Sequence, residues 1–233
     1  MKILFDHQIF LAQKHGGISR YFHNLINEIN KDANFSASIP INNHDNEYLK
    51  NSETPLVANK KSKLFRPIFR KRDLNKELLL QQLSSGNFDI FHPTYYDDYF
   101  LSNLGKKPFV ITIHDMIYEL FPEMFSLREN LTNLKKDLTL KADKIIVVSQ
   151  KTKEDLLKFV EVKEEKIEVV YQACSLEKEQ IKAAKINHNL PKKYLTFVGN
   201  RGIYKNFYFM LSSISDLLKK DEDLCLICFG ALS

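Results

Sequence analysis

Short apolar runs alternate with helical stripes along most of this chain, and that alternation limits the possible folds more than any other feature. Residues 3–5, 35–41, 88–91, 109–113, 144–148 and 167–170 read as buried strands. Helical patterns lie between most of them. The clearest has Ile18, Tyr21, Phe22, Leu25, Ile26 and Ile29 at i, i+3, i+4, i+7, i+8 and i+11, one apolar stripe. Others cover 74–83, 127–138 with apolar residues at 127, 131, 134 and 138, and 151–160. Strands that alternate with helices form a parallel sheet covered on both faces.

With 233 residues and 44% apolar content, the chain can build one full core and part of another. Residues 1–176 are predicted to form a Rossmann-like domain. A polar, Lys-rich connection follows at 177–192. Residues 193–233 then supply one strand, a helix at 206–218 and another strand. A single β-α-β unit cannot bury both sheet faces, since complete domains of this class usually need about 100 to 150 residues. No apolar run is long enough for a bilayer crossing, and the N-terminus lacks the pattern of a signal peptide, so a cytoplasmic location is expected.

Three cysteines include the C-x-x-C pair Cys225 and Cys228. They lie in an apolar strand, where residues three apart face opposite sides, so two buried free thiols are expected rather than a metal or redox pair. The net charge of +5 is unevenly placed. Residues 59–72 contain Lys60, Lys61, Arg70 and Arg72 among other bases, no acid, and interleaved Leu64, Phe65, Ile68 and Phe69. Such a stretch suits an anionic membrane surface, RNA, or a solvated loop whose aromatics dock on the core. Charge alone does not choose among them.

Three places carry chemistry. Gly16 and Gly17 stand directly before the amphipathic helix, where glycine lets an anion or sugar approach the amides of the first turn; a tight turn is the alternative. The strand at 109–113 ends in His114 and Asp115, and the preceding strand in His92, followed by Tyr95, Tyr96 and Tyr99. These polar and aromatic side chains would gather at the carboxyl edge of the sheet, where open α/β folds bind ligands. Helix capping, a satisfied imidazole and core packing are the structural alternatives. Third, "FVGNRGIYKNF" leads from a strand through Gly199, Arg201 and Gly202 to Lys205 and Asn206 at a helix start. Two cations beside backbone amides suit a pyrophosphate, whose charge they neutralise as it leaves.

Taken in order, "GGISRYF", "HPTYY", "TIHDMIYELFP", "ADKIIVVSQKTKEDL" and "VGNRGIYKN" resemble bacterial retaining glycosyltransferases of family 4, two-Rossmann GT-B enzymes that build capsule, O-antigen and other surface polysaccharides, including lipopolysaccharide. The resemblance implies a sugar, mannose at the family level, moved from a UDP- or GDP-linked donor to a lipid-linked or polysaccharide acceptor. Anomeric configuration would be retained, with no metal and no further cofactor. By the same resemblance Gly16, Gly17 and Arg20 would lie beside donor diphosphate and acceptor, and His92 and Tyr95 would line the sugar cleft. His114, with neighbouring Asp115, would contact the sugar, and Ser149 would match the serine after its strand. Arg201 and Lys205 would hold the donor phosphates beside Gly199 and Asn206. The enzyme would work at the inner face of the plasma membrane without nucleic acid.

The family continues through a glycine-rich turn and an E-x7-E motif, whereas "CFGALS" stops where these should begin, so the chain is expected to be cut within its second domain. The alternative function is a non-catalytic glycan- or membrane-binding protein. A nucleotide-sugar epimerase shares the fold but needs an acid/base constellation that the sequence does not show.

Overall fold

In the computed structural model the described residues are 1–50, 54–57, 71–125, 128–174 and 190–230, without the side chains of 71–73 and 203. The side chains of the basic stretch at 59–72, most of the connection at 177–192, and Leu127 lie outside them. The chain divides into two compact units, Met1–Ser175 and Leu176–Ser233.

The first unit opens with β1 (Lys2–Phe5), the short helix α1 (Gln8–Ala12) and α2 (Gly17–Ile29). Next come β2 (Ser36–Pro40), α3 (Glu47–Lys50), β3 (Leu56–Val57), α4 (Lys71–Ser85) and β4 (Ile90–His92). The remainder is α5 (Leu101–Leu104), β5 (Val110–Ile113), α6 (Ile117–Leu120), α7 (Glu129–Lys141), β6 (Lys144–Val147), α8 (Gln150–Phe159) and β7 (Ile167–Val169). All strand pairs are parallel, in the orders β3-β2-β1-β4 and β5-β6-β7. A parallel bridge between Phe91 and Phe109 joins the two sets.

Both faces of this sheet are covered, and β1 shows how. Leu4 and Phe5 point to opposite sides. Phe5 packs with Ile9, Phe22, Ile26 and Ile39, so the α2 stripe reads out directly as one core cluster. Leu4 joins the other cluster with Leu79, Phe91, Ile111, Leu138 and Leu156, which brings in α4, α7 and α8.

The second unit contains β8 (Lys193–Val198), α9 (Phe207–Lys220) and β9 (Leu224–Phe229), with the strands parallel and in register from Lys193↔Leu224 to Val198↔Phe229. Among the described residues, two strands and one helix leave much apolar surface open. Val198 is 76% exposed and Phe209 74%. The thiols follow suit, contrary to expectation: Cys225 is exposed and Cys228 partly so, because little covers the strand that bears them. Both are free, as is exposed Cys174.

Candidate active site

The strand order reverses at β1, with β2 on one side and β4 on the other, so a crevice opens where the carboxyl ends of β1 and β4 diverge. Asp6, directly after β1, braces that point. Its carboxylate accepts hydrogen bonds from the Thr94 amide (2.9 Å) and hydroxyl, from the Gln8 amide (3.2 Å) and from Gln8 Nε2 (2.6 Å). Full burial nonetheless pushes the carboxyl up to about 6, against those donors. Beside the brace lies a cavity of about 870 Å³ whose lining includes His7, Lys76, Tyr95, Asp97, Tyr99 and Leu131. The Lys76 ammonium sits 4.6 Å from the Tyr99 ring centre, and the Tyr99 hydroxyl and His7 Nε2 reach each other at 3.5 Å. Aromatic faces beside amide, carboxylate and imidazole groups can take the apolar faces and hydroxyls of a sugar.

The two glycines have different neighbours. Gly16 is the N-cap of α2 in extended backbone. A Cβ there would collide with the Gln13 side chain, whose Oε1 accepts the Ser19 amide at 3.0 Å. Gln13 thus supplies the cap that glycine cannot, and it occupies the space a side chain would need. At Gly17 an added Cβ would meet nothing within 4 Å, and the residue is exposed. Arg20 follows on the same first turn, half-buried.

His114 stands just past β5. Its ring meets Tyr21 edge-on at 5.2 Å and Phe22 at 5.9 Å between centres. Its Nε2 is buried and has no hydrogen-bond partner among the described residues. Burial holds this imidazole down at about 4; the Asp115 carboxylate works against that and the Lys135 ammonium reinforces it. At neutral pH the ring is therefore uncharged. Asp115 is exposed, and its Oδ1 accepts the Ile117 amide at 3.1 Å, which turns the chain into α6. Tyr95 links this turn to the cavity: burial, then the neighbouring Tyr118 hydroxyl, push its phenol up to about 12.

The other expected site residues each have their own surroundings. His92 is inside the fold, stacked on Phe5 at 5.1 Å, with Nε2 on the Thr112 hydroxyl at 2.9 Å. Burial holds it down at about 3, so its polar atom is spent on the core. Tyr96 is buried likewise, its hydroxyl donating to the Thr112 carbonyl at 3.3 Å. Ser149 is the N-cap of α8, accepting the Thr152 amide at 3.0 Å. In the second unit Gly199 has φ 141°, a conformation that favours glycine, and Asn206 enters α9 with φ 52°. Arg201 lies 5.7 Å from the Phe207 ring centre and Lys205 4.8 Å from that of Tyr204. Neither cation pairs with a carboxylate among the described residues. Sequence reasoning passes over Asp6, His7, Lys76 and Lys135. Asp6 and His7 carry a usable signal, because they directly follow the first strand, as His114 follows its own.

Residues 15–178 match the family model described as Glycosyltransferase Family 4. A comparison with curated proteins gives no significant match. Among solved structures the chain is similar to Anabaena HepE in complex with UDP and glucose, at 16% identity and a TM-score of 0.63. That likeness covers 100% of this chain but 62% of the other. The lipopolysaccharide outer core galactosyltransferase WaaB, in its apo form, is 14% identical with a TM-score of 0.53, and a glycosyltransferase from Rickettsia africae is 15% identical with 0.54. Each of these two likenesses covers 98% of this chain and 68% of the other. At such identities the likeness is one of fold, and it bears out the expected α/β architecture of a Rossmann-like domain followed by part of a second.

Proposed function

The chain belongs to glycosyltransferase family 4, and from that premise we propose that it transfers a sugar from a nucleoside diphosphate donor to a glycan or lipid-linked acceptor, with retention of anomeric configuration. The observation that carries this reading is the imidazole of His114: uncharged, at the carboxyl edge of the sheet, with a buried Nε2 that lacks a partner among the described residues. Nε2 is covered in the free protein, so a sugar hydroxyl would reach it only after the side chains over it shift, and the neutral nitrogen would then gain the partner it lacks. The acceptor would lie in the cavity against Tyr95 and Tyr99.

In this mechanism the bond between the anomeric carbon and the diphosphate breaks as the acceptor hydroxyl attacks from the same face. Arg201 and Lys205 would take up the charge that develops on the leaving phosphate, and the open Gly17 would let donor or acceptor approach the first turn of α2. Asp115, exposed beside His114, would accept a second sugar hydroxyl. No step here needs a metal.

UDP in the HepE complex supports a uridine-linked donor; the alternative is a GDP-linked sugar such as mannose. The galactosyltransferase relative supports a role in surface polysaccharide such as lipopolysaccharide. Work at the membrane face would fall to the basic stretch at 59–72.

The test is release of UDP or GDP from a panel of nucleotide sugars, with a membrane glycolipid extract as acceptor. Release that depends on both donor and acceptor is expected. Its absence with every donor, from a protein that is folded, would overturn the reading.

A further inference from the structure

A lysine ammonium is costly to bury, and a buried ion pair is weak evidence of stabilisation, since apolar residues of equal volume often serve as well. Lys135, in the middle of α7, has a side chain only 3% exposed. Its Nζ donates to Glu119 at 2.8 Å and to the backbone carbonyl of Asp115 at 3.1 Å. It also lies 5.5 Å from the ring centre of Tyr96 and 5.9 Å from that of Tyr118. Apart from Tyr96, these partners flank one turn. Glu119 and Tyr118 belong to α6, and Asp115 is the residue after His114.

The turn is thus gripped from two sides. Within it, the Asp115 carboxylate holds the Ile117 amide. From outside, Lys135 holds the Asp115 carbonyl and ties it through Glu119 to α6. His114, one residue earlier, leans on Tyr21 and Phe22 from α2, so its ring is set between α2 and a turn that Lys135 anchors.

We propose that Lys135 is a positioning residue for His114, acting through the Asp115 carbonyl and the Glu119 carboxylate to hold the turn that aims the imidazole at the sugar. The role rests on the transferase reading given above. Its charge adds a second effect. The groups facing His114 are Asp115 on its own turn, Lys135 from α7, Tyr21 from α2 and His92 from β4. Among these Asp115 favours the imidazolium and Lys135 opposes it. Without the ammonium the imidazole would be more readily protonated, while burial, the main cause, would still hold it below its ordinary value.

The test uses the full chain and three variants: Lys135→Met, Lys135→Arg, and the double variant Lys135→Met with Glu119→Gln, which leaves no unpaired buried carboxylate if the single change fails to fold. His114 is followed by its ring-proton NMR titration in the free protein, and kcat and KM by nucleotide release. In the folded Met variants the His114 midpoint should move up from its place in the unsubstituted protein, burial still holding it below the ordinary imidazole value. Their kcat should fall at least about tenfold with KM changed less than about threefold, and Arg should restore most of kcat. An unmoved midpoint in a folded Met variant overturns the proposal, whether or not kcat falls. Because the titration is read without substrate, it stands apart from transfer itself: no nucleotide release by the unsubstituted protein would count against the transferase reading instead.

Discussion

Gly16 and Gly17 are adjacent, yet the chain needs them for different reasons. Gly16 yields its side-chain space to Gln13, which caps α2 in its place. Gly16→Ala should push the Gln13 side chain aside and cost about 1 kcal/mol, the value of a lost cap, visible in urea denaturation. Gly17 has open space around it and an exposed position. Gly17→Ala should leave stability unchanged or raise it by about 0.5 kcal/mol, through the unfolded chain, while raising KM for donor or acceptor. If Gly17→Ala binds substrate as well as the parent does, the glycine is not there for a ligand. A similar contrast concerns Lys205, which among the described residues has no carboxylate to lose: Lys205→Ala should spare the fold but lower kcat at least about tenfold, the measure of one charge-assisted contact. Equal turnover would remove it from the mechanism. The glycine pair is legible in the sequence because it interrupts a clear pattern. The division of labour is not, because Gln13 reveals itself as a cap only when the chain folds back.

At the level of elements, sequence patterns succeed where they run long enough to have a period. The α2 stripe, the parallel strands and α8 follow from apolar spacing. The helices α1, α3, α5 and α6 span only four or five residues each, about one turn, too short for periodicity to separate from loop composition. These short pieces build the site: α1 borders the cavity, and α6 carries the partners of Lys135. That lysine is within reach of sequence reasoning. It stands four residues after Leu131 and three before Leu138, on the buried stripe of α7, where a charge calls for a partner. Ser149 shows the opposite case, a residue matched by resemblance to the family's serine after that strand, while its geometry is that of a helix cap. Ser149→Ala should lower stability by about 1 kcal/mol and Tm by roughly 2–4 °C, by loss of the bond to the Thr152 amide. A scanning-calorimetry trace unchanged by the substitution would show that α8 is held by packing alone.

Over the whole molecule, Asp6, His92 and His114 are buried groups whose displaced titrations bear on how stability responds to acid. His92 and His114 are held below the ordinary imidazole value, at about 3 and about 4, by burial. The unfolded chain therefore binds protons that the folded chain refuses. Their contribution is fully present above about pH 6.5 and is lost as pH falls toward those folded values. Asp6 acts in the other direction. Raised to about 6, it is protonated in the folded chain while the unfolded carboxylate is still ionised, so acidification between about 6 and 4 favours folding. Two depressed imidazoles outweigh one raised carboxyl, so net stability should fall between about pH 6.5 and 4. Asp6→Asn keeps the brace's shape and removes the opposing titration, so the loss should become steeper in that variant even if its stability at pH 7 is lower. Urea titrations at half-unit pH steps would read both slopes. A curve that stays flat through this range in both the parent and Asp6→Asn would mean that water reaches the two imidazoles, and burial would then not be what keeps His114 uncharged in mild acid.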